Sequence, residues 1–372
     1  MTELRFRVYF GDNPATVEDL ALIEEITVEQ TEDAAWEARI IMALCLDEQG
    51  NWKRQDEINL RPRTQVRIEL KIGKADFKPL IDGPIVGLDT AMDSRPGQST
   101  ATIVVHDDST WLNLASSPFS TDGQTDEELA RQLFIDESQG HIVTTEIEIP
   151  PDTAPPSLGP SFAQLGTPMQ MLRHLAERNG CRAYVLPGPT PGSSIGCIKP
   201  DPENPESLSP LVLLGSGRNL AEVTANEDPE SSERTVAHAL RFSDQQVASY
   251  TTQASDEVLL GDQPAAPDAP ERALPPGFGE SEDAAASARV RARRRNFPVD
   301  YSGSLLTGCY PDLLQPHEKV ALRAGGARNS TVLLLTKVTH RITPSIYSVE
   351  FEGRGNSLAQ LQAAAPGAPA IF

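Results

Sequence analysis

Four adjacent polar residues offer the first candidates for chemistry. His106, Asp107, Asp108 and Ser109 follow an apolar run and combine an imidazole, two carboxylates and a hydroxyl. Such groups serve acid–base catalysis or bind a metal ion where they converge. Adjacent residues of a strand point to opposite faces, so these side chains converge only if the strand ends there. We expect instead a strand-to-loop turn in which Asp107 or Asp108 hydrogen-bonds nearby backbone.

Other residues of catalytic type lack the arrangement that catalysis needs. His340 lies in a predicted strand, where we expect a hydrogen-bonded packing role, and His174 lies beside the apolar stripe of a predicted helix. Hydrolysis of a glycosidic bond needs two carboxyl groups held about 5 to 9.5 Å apart in a cleft. No spacing singles out such a pair, and aromatic residues, at 5%, give few platforms for a sugar. We therefore predict that the chain is not an enzyme.

The four cysteines match no metal-binding or redox motif. They are Cys45, Cys181, Cys197 and Cys309, widely spaced and without a C-x-x-C pair. Cys45 lies in an apolar run and is predicted to be a small buried hydrophobe. Cys181 and Cys197 could face each other across a hairpin, but a reducing compartment disfavours a disulfide. No histidine lies at zinc-ligand spacing from either, so the sequence predicts neither a metal nor any other cofactor.

A short helix predicted over residues 281–295 separates its charges. Two acidic residues lie at its start and five arginines at its end, a distribution that complements the helix dipole. We predict that the arginines contact the acidic surface of a partner, with the binding of an anion as the alternative. The five are Arg289, Arg291, Arg293, Arg294 and Arg295.

The composition disfavours some classes of partner. With 53 acidic and 32 basic residues, the chain carries a formal net charge of −21. Such a surface repels nucleic-acid phosphates and anionic lipid head groups, so we expect no nucleic-acid binding. No stretch approaches the roughly 20 apolar residues that cross a bilayer, and the first residues lack the apolar core of a signal peptide. We therefore expect synthesis and assembly in the cytoplasm and no direct membrane insertion.

Antiparallel β structure is predicted for the N-terminal part of the chain. Apolar and polar residues alternate in several short segments, which is the pattern of half-buried strands. Strands of this kind favour a barrel or a sandwich. The segments are Ile26–Gln30, Trp36–Ile40, Val66–Ile72, Leu80–Leu88 and Thr100–His106.

Helices follow in the next part of the chain. Thr125 is a candidate N-cap, and Glu128 lies at the spacing of a capping box. A second helix begins with Thr167 as N-cap and Pro168 as first helical residue, and Gly180 is its natural end.

The last third returns to strands, at 304–307, 319–322, 332–340 and 347–351. The predicted fold class is mainly β with an α+β insertion. This order of elements indicates duplication, although no repeat is visible among the residues.

Four passages resemble one protein family. His106–Leu112, followed by the first helix, is similar to "D-x-S-x-x-L … T-x-x-E-I", and Gly166–Val185 is similar to "L-x-x-L-A-E-x-N-G" before an aromatic strand. Gly308–Val320 resembles "G-x-P-x-L-x-P-G-x-x-V", and residues 335–354 resemble "V-x-x-V-x-H-x-I … Y-x-x-x-F-x-x-R". The chain thus resembles the baseplate hub family of contractile injection systems and phage tails, which includes the late-control gene D proteins and the N-terminal part of VgrG spikes. His317 replaces the family's glycine after proline, which leaves the conformation of that turn open.

The resemblance implies two tail-tube-like β-barrel domains plus a small α/β domain. The expected domains are a first barrel (1–112), an α/β insertion (113–216), a second barrel (217–260 and 298–358), a linker with the Ala/Arg-rich helix (261–297) and a flexible tail (359–372).

The resemblance also implies a structural role. Three copies with two barrels each present six barrels, which would adapt a threefold spike to a sixfold inner tube. The expected partners are two further copies of the chain, a separate spike protein, inner tube proteins and other baseplate components, within an injection particle or virion tail. The alternative is a phage-derived cell-wall hydrolase or carbohydrate-binding tail module. An acidic segment, 201–233, is a candidate for the wall of the channel, and a solvated loop surface is its simpler interpretation.

Overall fold

A computed structural model gives the architecture of the chain. Within the described residues the strands form five sheets, of which one has 13 strands. None of the helices in this part of the chain is long and apolar enough to span a bilayer. The residues described are 4–45, 60–95, 97–120, 124–150, 163–202, 208–215, 217–228, 233–241, 246–252, 259–260, 263–265, 270–273, 284–323 and 329–358.

The first β unit is a curled antiparallel sheet with one short helix. Its elements are β1 (Leu4–Phe10), β2 (Asn13–Pro14), α1 (Val17–Leu22), β3 (Ile23–Thr31), β4 (Glu37–Ala43), β5 (Gln65–Ile72), β6 (Lys78–Ala91) and β7 (Thr100–His106). In the sheet the strands follow the order β2-β1-β5-β6-β7-β4-β3. Alternation turns one face inward, so that Ala38, Ile40 and Met42 of β4 are all buried. The strands predicted for this part of the chain are confirmed, with ends shifted by a few residues.

The α/β unit packs two helices on a three-stranded sheet of order β11-β12-β9. Its elements are a 3-10 helix (Asp108–Asn113), β8 (Ser117–Ser120), α2 (Asp126–Asp136), β9 (Ile142–Ile147), β10 (Ala163–Gly166), α3 (Pro168–Arg178), β11 (Arg182–Pro187) and β12 (Ser194–Lys199). Both predicted N-caps form. The Thr125 hydroxyl accepts from the Glu128 N–H at 3.2 Å, and Thr167 accepts from Gln170 in the same way. Each cap satisfies an N–H that the first helical turn leaves unpaired.

The second β unit surrounds a smaller insertion. Its elements are β13 (Leu211–Val212), β14 (Leu220–Glu227), β15 (Arg234–Arg241), β16 (Gln246–Thr251), β17 (Gln263–Pro264), β18 (Glu271–Ala273), α4 (Ala284–Arg295), β19 (Val299–Leu305), β20 (Lys319–Arg323), β21 (Val332–Ile342), β22 (Tyr347–Gly355) and β23 (Ser357–Leu358). The main strands follow the order β13-β20-β21-β22-β19-β14. The insertion forms a separate sheet, β16-β15-β18, against which α4 packs.

The two β units repeat one topology. Six strands of each unit correspond in chain order: β1, β3, β4, β5, β6 and β7 in the first, and β13, β14, β19, β20, β21 and β22 in the second. Across the sheet the first unit has the order β1-β5-β6-β7-β4-β3, and the second unit has the equivalent order β13-β20-β21-β22-β19-β14. One pairing differs in direction, since β1 and β5 are antiparallel whereas β13 and β20 are parallel. Two β-bulges also match, in the second strand (Ile23–Glu25 and Leu220–Glu222) and in the fifth (Ile85–Gly87 and Leu335–Lys337). The duplication is therefore visible in the sheet although the residues do not reveal it.

One sheet runs through both β units. The C-terminal half of β21 pairs antiparallel with β3, with Lys337 opposite Thr31 and Ile342 opposite Ile26. The N-terminal half of β21 pairs instead with β20 of its own unit. Ile342 packs in the core of the first unit, so the joint continues the apolar layer as well as the hydrogen-bond ladder.

One expectation about the cysteines is wrong, because Cys45 is exposed rather than buried. The alternation that follows β4 turns Leu44 inward, and the next residue therefore faces solvent. Cys181 and Cys197 are both buried, and no disulfide joins them.

The turn at His317 keeps a left-handed backbone without glycine. His317 has a φ of 66°, a region that residues with a side chain rarely adopt. Its N–H donates to the Leu335 carbonyl at 3.0 Å, and its ring stacks on Tyr184 with 3.9 Å between centroids. Burial lowers the pKa of His317 to about 3, so the ring is neutral at pH 7. The stack connects the second β unit to the α/β unit.

Candidate assembly surface

Asp107, one of the residues of catalytic type, caps a helix. Its Oδ2 accepts from the Trp36 N–H at 2.6 Å, and its Oδ1 accepts from the Ser109 N–H at 2.9 Å. The second bond caps the 3-10 helix that begins at Asp108. Burial raises the pKa of Asp107 to about 6. The prediction that this motif hydrogen-bonds nearby backbone is confirmed.

Asp108 joins the first β unit to the α/β unit. Its Oδ1 accepts from Gln65 Nε2 at 2.6 Å and from Trp111 Nε1 at 3.0 Å. Its Oδ2 accepts from the Ser194 hydroxyl at 2.7 Å. Gln65 begins β5 and Ser194 begins β12, so the carboxylate connects two units. Burial raises the pKa of Asp108. Its oxygens are occupied by the chain's own donors, which gives this residue a structural role.

A buried arginine crosses the same interface. Arg67 Nη1 donates to the Gly188 carbonyl at 2.8 Å and to Asp82 Oδ2 at 3.0 Å. Asp82 also accepts from the Gly192 N–H at 3.0 Å. Burial and the nearby charge of Asp108 raise the pKa of Asp82 to about 7, even though Arg67 acts in the opposite direction. These bonds fix the turn between β11 and β12 to the first β unit.

Glu32 connects all three units. Its Oε2 lies 3.2 Å from Arg182 Nη1 of the α/β unit, and its Oε1 lies 3.1 Å from Arg354 Nη1 of the second β unit. Arg182 Nε donates in addition to Asp201 at 2.9 Å. The Glu32 and Arg182 side chains are 7% and 6% exposed, so solvent and salt screen this contact little.

His340 has the packing role expected of it. Its Nδ1 lies 2.9 Å from the Tyr347 hydroxyl oxygen, and its Nε2 lies 3.1 Å from the Leu314 carbonyl oxygen. Burial lowers the pKa of His340 to about 4. The ring is therefore neutral at pH 7 and donates one of these two hydrogen bonds.

The arginine-rich helix α4 contacts the chain itself through part of its length. The buried Arg291 donates from Nε to Glu233 Oε1 at 2.7 Å, and the Arg289 guanidinium lies 5.4 Å from the centre of the Tyr250 ring. The Arg291 side chain is thus occupied within the chain. Contact of the five arginines with a partner stays a prediction. The side chains of Arg293, Arg294 and Arg295 lie outside the described residues.

An apolar cavity of about 260 Å³ lies where β1 meets the second β unit. Leu4 and Phe6 line it on one side and Ile346 on the other. Among the described residues that line it, Asp312 is the single carboxylate, and it accepts from the Ser209 N–H at 2.8 Å. A glycosidase site needs two carboxyl groups across a cleft. This cavity therefore does not support the hydrolase alternative.

The polar face of the shared sheet is the most extended candidate surface. Successive residues of a strand alternate between faces, so directly paired residues lie on the same side. One row of directly paired residues crosses from β14 of the second unit to β7 of the first and carries four carboxylates. We call it the acidic row: Glu222, Ser304, Glu350, Thr339, Glu29, Glu37 and His106.

Basic side chains flank the acidic row at one end. Lys337 Nζ lies 3.1 Å from Glu29 Oε1, and Arg39 Nε lies 2.6 Å from Glu37 Oε1. Glu29 and Glu37 lie directly opposite each other, an arrangement that destabilises a sheet. The two basic side chains offset this repulsion, and the row is a candidate for contacts outside the isolated chain because it continues across both β units.

The part of the row from Glu222 to Glu29 borders a concave space of about 480 Å³. Its charged lining comprises the carboxylates of Glu29, Glu222, Glu350 and Glu352 and the amine of Lys337. Of these, only Glu222 belongs to the acidic segment 201–233, the candidate for a channel wall. The others come from strands in which the sequence shows alternation alone. The sequence signal that could have indicated these residues as part of the surface is a glutamate at a polar position of an alternating strand.

Comparison with known proteins identifies the fold. No protein-family model matches the sequence, and neither does a curated protein. The tail protein from Neisseria meningitidis MC58 superposes with a TM-score of 0.60 at 11% identity, over 96% of this chain and 98% of that one. The 43 kDa tail protein of prophage MuSo2 from Shewanella oneidensis gives a TM-score of 0.59 at 14% identity, over 94% of this chain and 98% of that one.

A secretion-system protein shares the fold as well. The Escherichia coli c3393 protein, a component of the type VI secretion system with structural similarity to the T4 bacteriophage tail proteins gp27 and gp5, gives a TM-score of 0.54 at 10% identity. The match covers 98% of this chain and 80% of that one. The chain therefore has the fold of phage tail and type VI secretion proteins. The mainly β architecture with a small α/β part, which the resemblance implied, is confirmed.

Proposed function

We propose that this chain is the structural hub of a phage tail or a contractile injection system. The observation that carries the proposal is the repeated topology of its two β units within one sheet. Three copies of such a chain present six similar units about a threefold axis. This arrangement adapts a spike of threefold symmetry to an inner tube of sixfold symmetry. The fold shared with tail proteins supports the proposal.

In this proposal the parts of the chain have distinct tasks. Residues 1–112 provide one tube-like unit and residues 217–260 with 298–358 provide the other, which gains the short strand β13 and carries the sheet β16-β15-β18 as an insertion. The α/β insertion, 113–216, braces them, because Arg182 and His317 make contacts between units. A hub that transmits force during contraction benefits from such buried ties. The arginine-rich helix in 261–297 contacts other tail components, apart from Arg291, which is paired with Glu233 inside the chain.

The acidic row lies, in this proposal, on the wall of the central channel. It occupies the polar face of a curled sheet whose apolar face is covered by the core. A wall of negative charge repels polyanions and acidic proteins, so that cargo passes without being held. In this position the repulsion between the carboxylates of the wall and an acidic cargo would serve the passage of that cargo.

The partners follow from the same symmetry argument. Two further copies of the chain complete the hub, a separate spike protein docks on one side, and inner tube proteins dock on the other. Other baseplate components surround the ring. The role is structural, in an assembled particle, and the chain itself turns over no substrate.

The mass of the purified chain in solution tests the proposal. Light scattering coupled to size exclusion is expected to give three chain masses, and a monomer would contradict the hub. Incubation with peptidoglycan is expected to release no fragments, and turnover would support the hydrolase alternative instead. Co-expression with the spike and tube proteins, followed by electron microscopy, is expected to place the chain between the two.

A further inference from the structure

The apolar cavity of about 260 Å³ between β1 and the second β unit is lined by side chains that solvent still reaches. Leu4, Phe6 and Leu305 are half-buried, and Ile346 is 56% exposed. Single apolar residues at a surface are common, but a contiguous group around a concave space marks a binding site. A cavity of about 150 Å³ already holds benzene in an apolar protein interior. This one therefore has room for a larger apolar side chain.

The turn that carries Ile346 is held in place by its own hydrogen bonds. The Thr343 N–H donates to the Ile346 carbonyl at 2.9 Å, and the Ile346 N–H donates to the Thr343 hydroxyl at 3.0 Å. Pro344, at the first central position of the turn, restricts the backbone further. The exposed isoleucine thus lies on a rigid turn, and binding there costs little conformational entropy.

One carboxylate lines the cavity, and its position is fixed. Asp312 Oδ2 accepts from the Ser209 N–H at 2.8 Å, and the Ser209 carbonyl accepts from the Tyr310 hydroxyl at 2.7 Å. A carboxylate offers about four acceptor sites on its two oxygens, so Asp312 can accept from a further donor. The residue is half-buried, so its charge lies between the apolar wall and solvent.

The surroundings of Asp312 carry an excess of negative charge. The described residues that line the cavity include no lysine, arginine or histidine. Burial, and to a smaller extent the charge of Asp312, raises the pKa of Glu318 to about 7, while the charge of Lys78 acts in the opposite direction. The Asp312 and Glu318 carboxyl groups therefore lie near each other. This wall attracts a positively charged donor and repels a carboxylate.

We propose that this cavity binds a segment of a partner protein in which an apolar side chain lies next to a lysine or arginine. The apolar side chain enters between Phe6 and Ile346, and the basic group donates to Asp312. This site goes beyond the proposed hub, because its described walls belong to a single chain and it needs no ring of copies. The apolar contact supplies affinity, and Asp312 selects against acidic segments.

The carboxylate distinguishes this occupant from a purely apolar one. An uncharged apolar group would cover part of Asp312 without offering it a donor, and burial of an unpaired carboxylate is costly. A basic side chain supplies the donor, and its aliphatic stem packs on apolar surface while its charge stays at the rim. The formal net charge of −21 also steers basic partners towards the chain.

Three dipeptides, acetylated and amidated at their ends, test the site on the full chain. Leucyl-lysine has both features, leucyl-glutamate reverses the charge, and glycyl-lysine lacks the apolar side chain. Methyl NMR spectra of the isoleucine-labelled chain follow Ile72 and Ile346, which line the cavity, with the buried Ile26 as reference. Leucyl-lysine is expected to shift Ile72 and Ile346 saturably and to leave Ile26 unchanged. Leucyl-glutamate should bind about fivefold more weakly or worse, the size expected of an exposed ion pair, and glycyl-lysine should not saturate.

Two variants separate the charge from the apolar wall. Asp312→Asn keeps an acceptor for Ser209 and removes the charge, so the affinities for leucyl-lysine and leucyl-glutamate should become equal. Ile346→Ser should weaken both leucyl peptides about fourfold or more, the equivalent of one buried CH₂ group, with Ile72 as the reporter. Val247→Ser is the matched control, since Val247 is 65% exposed and lies on β16, outside the cavity. It should bind as the natural chain does.

Each part of the proposal has an outcome that would overturn it. Absence of saturable shifts at Ile72 and Ile346 with every peptide would remove the site. Equal affinity for leucyl-lysine and leucyl-glutamate, or a preference that survives Asp312→Asn, would remove the selection by charge. Light scattering tests a second copy as the occupant, because loss of an oligomer in Ile346→Ser but not in Val247→Ser would assign the cavity to a contact between copies. A monomeric chain that prefers leucyl-lysine would contradict the hub alone.

Discussion

Glu32 Oε2 accepts a hydrogen bond from Nη2 of Arg354, a residue that lies 322 positions further along the chain. The two oxygens of Glu32 lie 3.1 and 3.2 Å from the two terminal nitrogens of the guanidinium. This two-point geometry is the strongest that an arginine and a carboxylate adopt. Because Arg182 approaches the same carboxylate from the α/β unit, Glu32 is satisfied only when all three units are in place.

Substitution of Glu32 by glutamine is expected to destabilise the whole chain. The change removes the carboxylate that Arg354 contacts and leaves Arg182 with its contact to Asp201. Removal of one partner of a buried ion pair costs about 3 to 5 kcal/mol. The free energy of unfolding from urea titration measures the loss. Glu25→Gln is the control, since Arg341, its partner, is 59% exposed and exposed pairs contribute about 1 kcal/mol or less. Equal losses in the two variants would contradict the role of Glu32 as a connector.

Two glycines of β6 are expected to differ sharply in their tolerance of alanine. A Cβ on Gly83 would lie 1.9 Å from the His106 carbonyl oxygen, which is backbone and cannot move aside. A Cβ on Gly87 would lie 3.5 Å from Val104, an ordinary contact. Gly83→Ala is therefore expected to cost about 3 kcal/mol or more through overpacking, and Gly87→Ala far less. Soluble yield and melting temperature compare them, and similar values would argue against this close approach of the strands.

The left-handed turn at His317 separates a backbone effect from a side-chain effect. His317→Ala loses the stack on Tyr184 and keeps the unfavourable φ of 66°. His317→Gly loses the same stack and removes the backbone cost, which is about 1 to 2 kcal/mol for a residue with a Cβ. The glycine variant is thus expected to have the higher free energy of unfolding of the two. A result in which alanine equals or exceeds glycine would refute the backbone argument.

Asp82 is expected to weaken the fold as the pH rises. Its pKa is raised in the folded chain from 3.8 to about 7, so the folded state retains a proton that the unfolded chain releases. The stability that this proton contributes is complete below about pH 4 and is lost as the pH rises towards 7. Asp82→Asn removes this pH dependence. The free energy of unfolding of the variant, relative to that of the natural chain, should therefore increase between pH 4 and pH 7. A constant difference across that window would contradict the raised pKa.

Charge reversal in the acidic row tests the proposed channel wall. Glu222 and Glu350 are exposed, so Glu222→Lys with Glu350→Lys should change the free energy of unfolding by about 0.5 kcal/mol or less. Assembled particles that carry the variant are expected to form normally and to deliver their cargo less efficiently, since a basic wall would hold acidic cargo. Delivery at the original level would remove the row from the channel. Ser302→Lys, a change on the same face that reverses no carboxylate, is the control.

The fold was predicted from the sequence wherever the signal was local. Thr125 and Glu128 form their capping box because the two residues lie one helical turn apart and need nothing else. Strands such as β5 were recognised because alternation selects a buried face without reference to the partner strand. The error at Cys45 has the same origin, since an apolar run does not reveal which of its residues is turned outward.

The candidate surface was predictable only in part. The segment 201–233, a candidate channel wall with a solvated loop surface as the simpler interpretation, contributes Glu222 alone to the acidic row. Glu29 and Glu350 flank Thr339 from two strands that lie far apart in the chain. No spacing in the sequence connects them. The register that aligns them is set by side chains on the other face of the sheet.

The types of element, their order and the caps that begin the helices follow from residues a few positions apart, so they can be inferred without the fold. The pairing of β3 with β21, the shared topology of the two β units and the contact of Glu32 with two arginines from different units become apparent only in the folded chain. Such contacts form when apolar faces are buried together. The free energy gained from burial depends on the apolar area removed from water and not on the number of residues between the two faces.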